Sequence, residues 1–163
     1  MQTKRTIEEQ LVALLKEKNM TITFAESCTG GLLSGRFVNV SGASDVYRVG
    51  LVTYANEAKV RHLQVKEDTI AKHGVVSLET AAEMALGACA FAGAEVSCAV
   101  TGVAGPTGGT LKKPVGMVCM ACCVNGKIVE QEHHFTGSRQ EVREASVEAA
   151  LELVLMCLQK MGK

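Results

Sequence analysis

Between Met20 and Val40 the spacing of apolar residues changes period. Met20-Thr-Ile-Thr-Phe-Ala25 alternates polar and apolar side chains and is rich in β-branched and aromatic residues, the pattern of a short strand. From Leu32 the recurring positions Leu32, Leu33, Arg36, Phe37 and Val40 fall at three and four residues, the period of a helix over Gly30–Val40. The link, Ala25-Glu-Ser-Cys-Thr-Gly-Gly31, carries a serine, a thiol, a hydroxyl and two glycines. A strand handing over to a helix leaves backbone N–H groups unpaired, and these can hold a phosphate or a developing oxyanion. Glycine lets a ligand approach the backbone closely. On spacing alone the segment also reads as a tight turn before a capped helix.

The same alternation of periods continues along the chain. Ile7, Leu11, Leu14, Leu15 and Lys18 mark an amphipathic first helix. Val46–Tyr54 is β-like, and Asn56 is placed to cap a helix running to Leu63. A short helical turn over Asp68–Lys72 ends at Gly74, and Ser77 starts a long Ala-rich helix closing near Gly93. Glu95–Val100 is a compact strand, followed by the glycine-rich loop Gly102–Pro114. Val115–Val124 and Lys127–Phe135 flank Asn125-Gly126, a strong signal for a two-residue hairpin. Ser138-Arg-Gln-Glu141 is a capping box opening the last helix. The expectation is an α/β fold: a three-layer α/β/α sandwich on a mixed, mostly parallel sheet with a hairpin in its C-terminal half. Residues 1–163, without repeats or a Pro/Ser-rich linker, read as a single domain. Late in the last helix, Leu151, Leu153, Val154, Leu155, Met156, Cys157 and Leu158 leave little polar face. Such a helix needs cover on more than one side, from a three-layer core or from a partner subunit.

Charge and cysteine usage narrow the function classes. Lysine plus arginine equals aspartate plus glutamate at 17 each, so no global field draws in nucleic acid or an anionic membrane, and an anionic substrate must be held by local groups. No apolar run approaches the ~20 residues of a membrane span. Met1–Gln10 lacks the apolar core of a secretion signal, and the expected location is cytoplasmic. The seven cysteines are odd in number and mostly lie among apolar residues. Cys119 and Cys122 form a C-x-x-C, but within a strand they point to opposite faces, and no second ligand pair completes a zinc site. They read as small buried hydrophobes.

Ala25-Glu-Ser-Cys-Thr-Gly-Gly31 resembles the signature of the CinA C-terminal family, whose enzymatic members are nicotinamide mononucleotide deamidases. Thr53-Tyr-Ala-Asn-Glu-Ala-Lys59 is similar to the family's T-Y-S-N-E-A-K, and His73-Gly-Val-Val-Ser77 follows in order. Thr101-Gly-Val-Ala-Gly-Pro106 with Gly108-Gly109 resembles T-G-I-A-G-P-x-G-G; Lys113-Pro-Val-Gly116 and Phe135-x-Gly137-x-Arg139 complete the set. The match runs from about Thr21 to the final helix. It departs from the family at Thr107 and Ser138, each standing where aspartate is common.

The resemblance implies a metal-independent amidohydrolase, with no cofactor, taking nicotinamide mononucleotide and water to nicotinic acid mononucleotide and ammonia. Cleaving a carboxamide requires a nucleophile, a base and donors for the oxyanion. Ser27 is the candidate nucleophile, and the resemblance makes Lys59 its base, which demands a lysine kept neutral by burial or nearby positive charge. The amides of Cys28, Thr29 and Gly30 are candidate oxyanion donors. Tyr54, Asn56, Thr101, Gly102, Gly105, Gly108, Gly109 and Arg139 are candidate substrate contacts, with Lys113 near the loop. The four histidines, His62, His73, His133 and His134, are scattered. The family's usual self-association implies a homodimer. A non-catalytic nucleotide-binding or regulatory module of the same family is the alternative.

Overall fold

The computed structural model describes residues 3–161. Five strands form one sheet: β1 (Ile22–Glu26), β2 (Leu51–Val52), β3 (Val96–Gly102), β4 (Met117–Val124) and β5 (Lys127–His134), in the order β2-β1-β3-β4-β5. β1 is parallel to both β2 and β3, while β4 is antiparallel to β3 and to β5. Four of the five strands therefore point one way. The hairpin turns at Asn125-Gly126, where both residues take positive φ, as a tight two-residue turn requires.

Helices cover both faces. α1 (Ile7–Glu17), α2 (Leu32–Phe37) and α6 (Arg139–Lys160) lie on one side. α3 (Asn56–Leu63), α4 (Glu67–His73) and α5 (Leu78–Ala92) lie on the other. Alternate residues of β4 serve the two cores: Val118, Met120 and Cys122 face α6, whereas Cys119, Ala121 and Cys123 face α5. The C-x-x-C pair is split across the sheet, and all seven cysteines are free. α6 is buried by the chain's own elements: Leu151, Leu153, Val154, Cys157 and Leu158 pack into the core with Leu11 and Leu15 of α1 and Leu33 and Phe37 of α2. Arg36 ties the same three helices together through ion pairs to Glu8 and Glu148.

Polar residues inside the sheet are satisfied locally, which is what makes their burial tolerable. Thr23 donates to the Val49 carbonyl at 2.7 Å, and Ser97 to the Ala85 carbonyl at 2.6 Å. Three sequence expectations shift. Val46–Tyr54 is strand only at Leu51–Val52; Ala43–Asp45 forms a 3-10 turn, and Tyr47 turns inward to pack against Phe24 and Phe37. α2 is shorter than Gly30–Val40 because Gly30 and Gly31 hold positive φ and belong to the turn before it. Ala55, not Asn56, is the N-cap of α3, and the Asn56 side chain makes no cap bond.

One backbone crossing sets the position of α3. A Cβ at Gly87 in α5 would lie 1.8 Å from the Leu63 carbonyl oxygen, so the two helices touch where α5 has no side chain. Gly87→Ala should push α3 outward and destabilise the fold by about 2–3 kcal/mol, the scale of core overpacking. Urea denaturation of the variant beside the parent measures this; equal midpoints would show that the helices can part freely.

Candidate functional site

β1 lies at the point where the chain reverses direction across the sheet: the path from β1 leads through α2 to β2 on one side, then through α3–α5 to β3 on the other. A crevice opens beyond the carboxyl ends of strands at such a point. Here it is a cleft of about 310 Å³ lined by Ser27 and Cys28 after β1, Tyr54, Asn56 and Lys59 after β2, and the Thr101–Gly105 segment after β3, with Arg139 from α6 at its rim.

The centre of the cleft is a buried lysine. Lys59 has no solvent exposure, and its Nζ lies 2.9 Å from Ser27 Oγ, 2.7 Å from the Thr53 carbonyl oxygen and 3.2 Å from the Tyr54 carbonyl oxygen. Burial lowers its pKa from 10.5 to about 8, partly offset by Cys28 and Glu57. A neutral amine has two N–H groups and one lone pair. Those match two carbonyl acceptors and one hydroxyl donor, so the geometry suits the form that accepts a proton from Ser27. The neighbouring Cys28 thiol is pushed up to about 11 by burial, so it stays protonated at neutral pH and is a poor nucleophile beside the serine.

The turn carrying Ser27 is held by two charged side chains that the sequence patterns did not single out. Glu26, fully buried at the end of β1, accepts hydrogen bonds from Gly31 N–H (3.2 Å), Leu33 N–H (2.8 Å) and Ser34 N–H (3.0 Å). The protein's own carboxylate thus fills the helix start that was expected to be open to an anion. Gly30 N–H donates to the Ser27 carbonyl at 3.0 Å, which removes it from the expected oxyanion donors. Among the described residues, the amides of Cys28 and Thr29 have no protein acceptor in this turn. From the other side Arg143 of α6 donates to the Cys28 and Thr29 carbonyls, each at 3.0 Å. An acid closing an apolar strand just before a helix, and an arginine one turn beyond Arg139, were the available sequence signals.

The remaining candidates divide. Arg139 donates to the Gly105 carbonyl at 2.7 Å and to the Tyr54 hydroxyl at 3.0 Å, bridging two walls of the cleft. Thr101 lines the cleft, but its hydroxyl donates to the Val75 carbonyl at 3.0 Å, fixing the α4–α5 connection. Gly102, Gly105 and Gly108 line the cleft, as do Val75, Val76 and Thr107. Gly109 does not: it packs under Val115, whose backbone nitrogen would sit 2.8 Å from an added Cβ. Lys113 is also outside the lining, with its Cε beside Gly74, because the loop folds back on itself through Lys113 N–H to Thr110 Oγ1. Thr29 contributes no side chain to the cleft; its hydroxyl is buried and unpartnered. None of the four histidines lines the cleft. Ser138 forms the expected capping box with Glu141, so the departure from aspartate there retains a cap.

An open α/β sheet with a serine and a buried lysine in contact at its reversal point defines an α/β protein with a serine–lysine site. The family model of the CinA C-terminal domain matches residues 4–158, and the chain belongs to that family. It is 50% identical over 147 residues to a protein of Clostridium novyi (strain NT) with a competence-damage inducible name, covering 90% of this chain and 36% of that protein. It is 45% identical over 155 residues to a CinA-like protein of Kosmotoga olearia, covering 95% of this chain and 38% of the other. The chain thus spans little more than a third of these relatives. Among solved structures, a CinA superfamily protein from Enterobacter cloacae superposes with a TM-score of 0.90 at 36% identity, covering 97% of this chain and 95% of that one. The competence/damage inducible protein CihA from Agrobacterium tumefaciens gives 0.89 at 39% identity, covering 98% and 99%. No helix among the described residues is long and apolar enough to cross a membrane.

The lowered pKa of Lys59 has a stability consequence of definite sign. In the unfolded chain the lysine holds its proton up to about pH 10.5, whereas in the fold it releases it near 8. Below pH 8 it is charged in both states and the burial penalty is fully present; as pH rises toward 10.5 the fold gains relative to the unfolded chain. The stability difference between parent and Lys59→Met should therefore shift toward the parent by about 2–3 kcal/mol between pH 7 and pH 10. Paired urea titrations at the two pH values measure the shift, and a pH-independent difference would mean that Lys59 titrates normally.

Proposed function

We propose that the chain is a single-domain amidohydrolase that converts nicotinamide mononucleotide and water to nicotinic acid mononucleotide and ammonia, acting as a homodimer in the cytoplasm. The observation that carries this reading is the 2.9 Å contact between Ser27 Oγ and the buried Lys59 amine inside the cleft. Family membership and the ordered motifs supply the substrate class.

In the first half-reaction Ser27 Oγ attacks the carboxamide carbon and its proton passes to Lys59 Nζ. The tetrahedral intermediate carries its negative charge on the former carbonyl oxygen, within reach of the amides that follow Ser27. Lys59 then gives the proton to the nitrogen as the C–N bond breaks, and ammonia leaves an acyl ester on Ser27. In the second half-reaction water adds to that ester, losing its proton to Lys59. Collapse returns the proton to Ser27 Oγ and frees the carboxylic acid. Each half restores the lysine, so the proton count closes without another base. Arg139 at the rim supplies the positive charge suited to the substrate's phosphate.

Ammonia release from nicotinamide mononucleotide by the purified protein tests the reading. Ser27→Ala and Lys59→Met should each remove nearly all turnover, and the double variant should be scarcely worse than either, because members of a catalytic unit are non-additive. The parent rate should rise with pH through about 8, as Lys59 becomes neutral. Multiplicative losses in the double variant would return Lys59 to a binding role. Tight binding without ammonia release would instead identify a nucleotide-binding module.

Arg139→Ala should raise KM about 10–100-fold, the scale of one charge-assisted hydrogen bond, with a smaller effect on kcat. Comparable turnover of free nicotinamide and the mononucleotide would remove the phosphate from the recognition scheme.

A further inference from the structure

Arg143 has no place in the reaction as written, yet its guanidinium grips the nucleophile turn. Nε donates to the Cys28 carbonyl and Nη2 to the Thr29 carbonyl, each at 3.0 Å, across 115 and 114 residues of chain. The contact leaves no slack: a Cβ on Gly30 would lie 3.3 Å from Nη2. The Cys28 carbonyl and the Thr29 N–H belong to one planar trans peptide and point in opposite directions. Holding the carbonyl against Arg143 therefore turns the Thr29 N–H to the far side of the turn. The next peptide unit behaves alike: the Thr29 carbonyl meets Arg143, and the Gly30 N–H reaches the Ser27 carbonyl. That bond holds the Ser27 carbonyl and so turns the Cys28 N–H of the same peptide the opposite way. Cys28 lines the cleft and its amide has no acceptor among the described residues, whereas Thr29 is fully buried outside the lining.

We propose that Arg143 is a positioning residue that fixes these peptide planes, keeping carbonyl dipoles away from the reacting oxygen and, through the Gly30 N–H on the Ser27 carbonyl, aiming the amide of Cys28, a cleft-lining residue, toward it. The proposal rests on the amidohydrolase reading. Oxyanion stabilisation depends on donors aimed beforehand at where the charge develops. If the Cys28–Thr29 peptide were free to turn over, it could present its carbonyl where a donor is needed. A guanidinium can hold two carbonyls at once through its rigid fork, which an ammonium cannot do with the same geometry.

The test compares the parent with Arg143→Lys and Arg143→Ala, using kcat, KM, the pH–rate midpoint and thermal midpoints. Losing a single oxyanion donor costs other hydrolases about 100–1000-fold in kcat, so disordering one should lower kcat about 10–100-fold in Arg143→Ala. KM should stay within about twofold, and the midpoint near pH 8 should not move, because Arg143 does not touch Lys59. Added methylguanidinium should restore part of kcat to Arg143→Ala. If that variant does not fold, Arg143→Lys carries the test through the same kcat–KM split. A rise in KM at unchanged kcat, a displaced pH midpoint, or kcat within about threefold of the parent in a folded variant would overturn the proposal.

A second reaction separates failure of this proposal from failure of the substrate reading. Acylation of Ser27 by p-nitrophenyl acetate passes through the same oxyanion and releases nitrophenolate in a burst. If the parent shows that burst but no deamidation, the substrate reading fails alone, and a slower burst in the Arg143 variants supports the positioning role. Equal bursts in parent and variants overturn it, as does a parent inert in both reactions.

Discussion

A lysine amine with no access to water must be met by oxygen atoms, and the arrangement around the cleft answers that demand. Unpaired burial of such a group is costly, whether charged or neutral. Three segments converge to supply its partners: the turn after β1 brings Ser27, the end of β2 brings the Thr53 and Tyr54 carbonyls, and α3 carries the lysine itself. The parallel pairing of β1 with β2 is what places the first two side by side. The Thr53 amide is bonded to the Glu26 carbonyl, so the ladder continues to the edge of the site. The contact between Gly87 and Leu63 then fixes the depth of α3.

Two charges of opposite sign hold the serine turn from opposite ends. Glu26 gathers the first amides of α2, a favourable place for a negative charge near a helix N-terminus. Arg143 gathers the turn's carbonyls from α6. Backbone groups that would otherwise compete for a ligand are thereby satisfied by the protein. Within the turn, the groups not taken up in this way are the Ser27 hydroxyl, beside the Lys59 amine, and the Cys28 and Thr29 amides. The polar lining of the cleft is set as much by the groups already occupied as by those left open.

Much of this was legible in the chain because the signals were local. The change from alternating to helical spacing around Ala25–Leu32 placed Ser27 correctly at a strand end, and Asn125-Gly126 placed the hairpin turn. The Ser138–Glu141 capping box likewise marked the start of α6. Local signals failed where long-range packing decided the outcome. Val46–Tyr54 has strand-like composition, but Tyr47 is drawn into the aromatic cluster with Phe24 and Phe37, leaving only two residues to pair. Gly30 and Gly31 looked like the start of a helix, whereas the Ser27 carbonyl and the Glu26 carboxylate hold their amides in the preceding turn. Lys113 and Gly109 share a loop with cleft residues, yet the loop's own fold carries them away. The 2.9 Å approach of Lys59 to Ser27 joins residues 32 apart, a proximity that motif resemblance suggested and only the parallel sheet explains.

The span of the Arg143 contact carries a consequence for the order in which the molecule is made. A chain leaving the ribosome N-terminus first presents β1, the serine turn and α3 well before α6 has been synthesised. Ser27 and Lys59, only 32 residues apart, are both present at that stage. The turn's carbonyls must wait for a side chain 115 residues downstream of Cys28. At elongation rates of about 5–20 residues per second, that interval lasts about 6–23 seconds. Throughout it the nascent domain holds Ser27 in surroundings that are unfinished, and translation itself decides when they are complete.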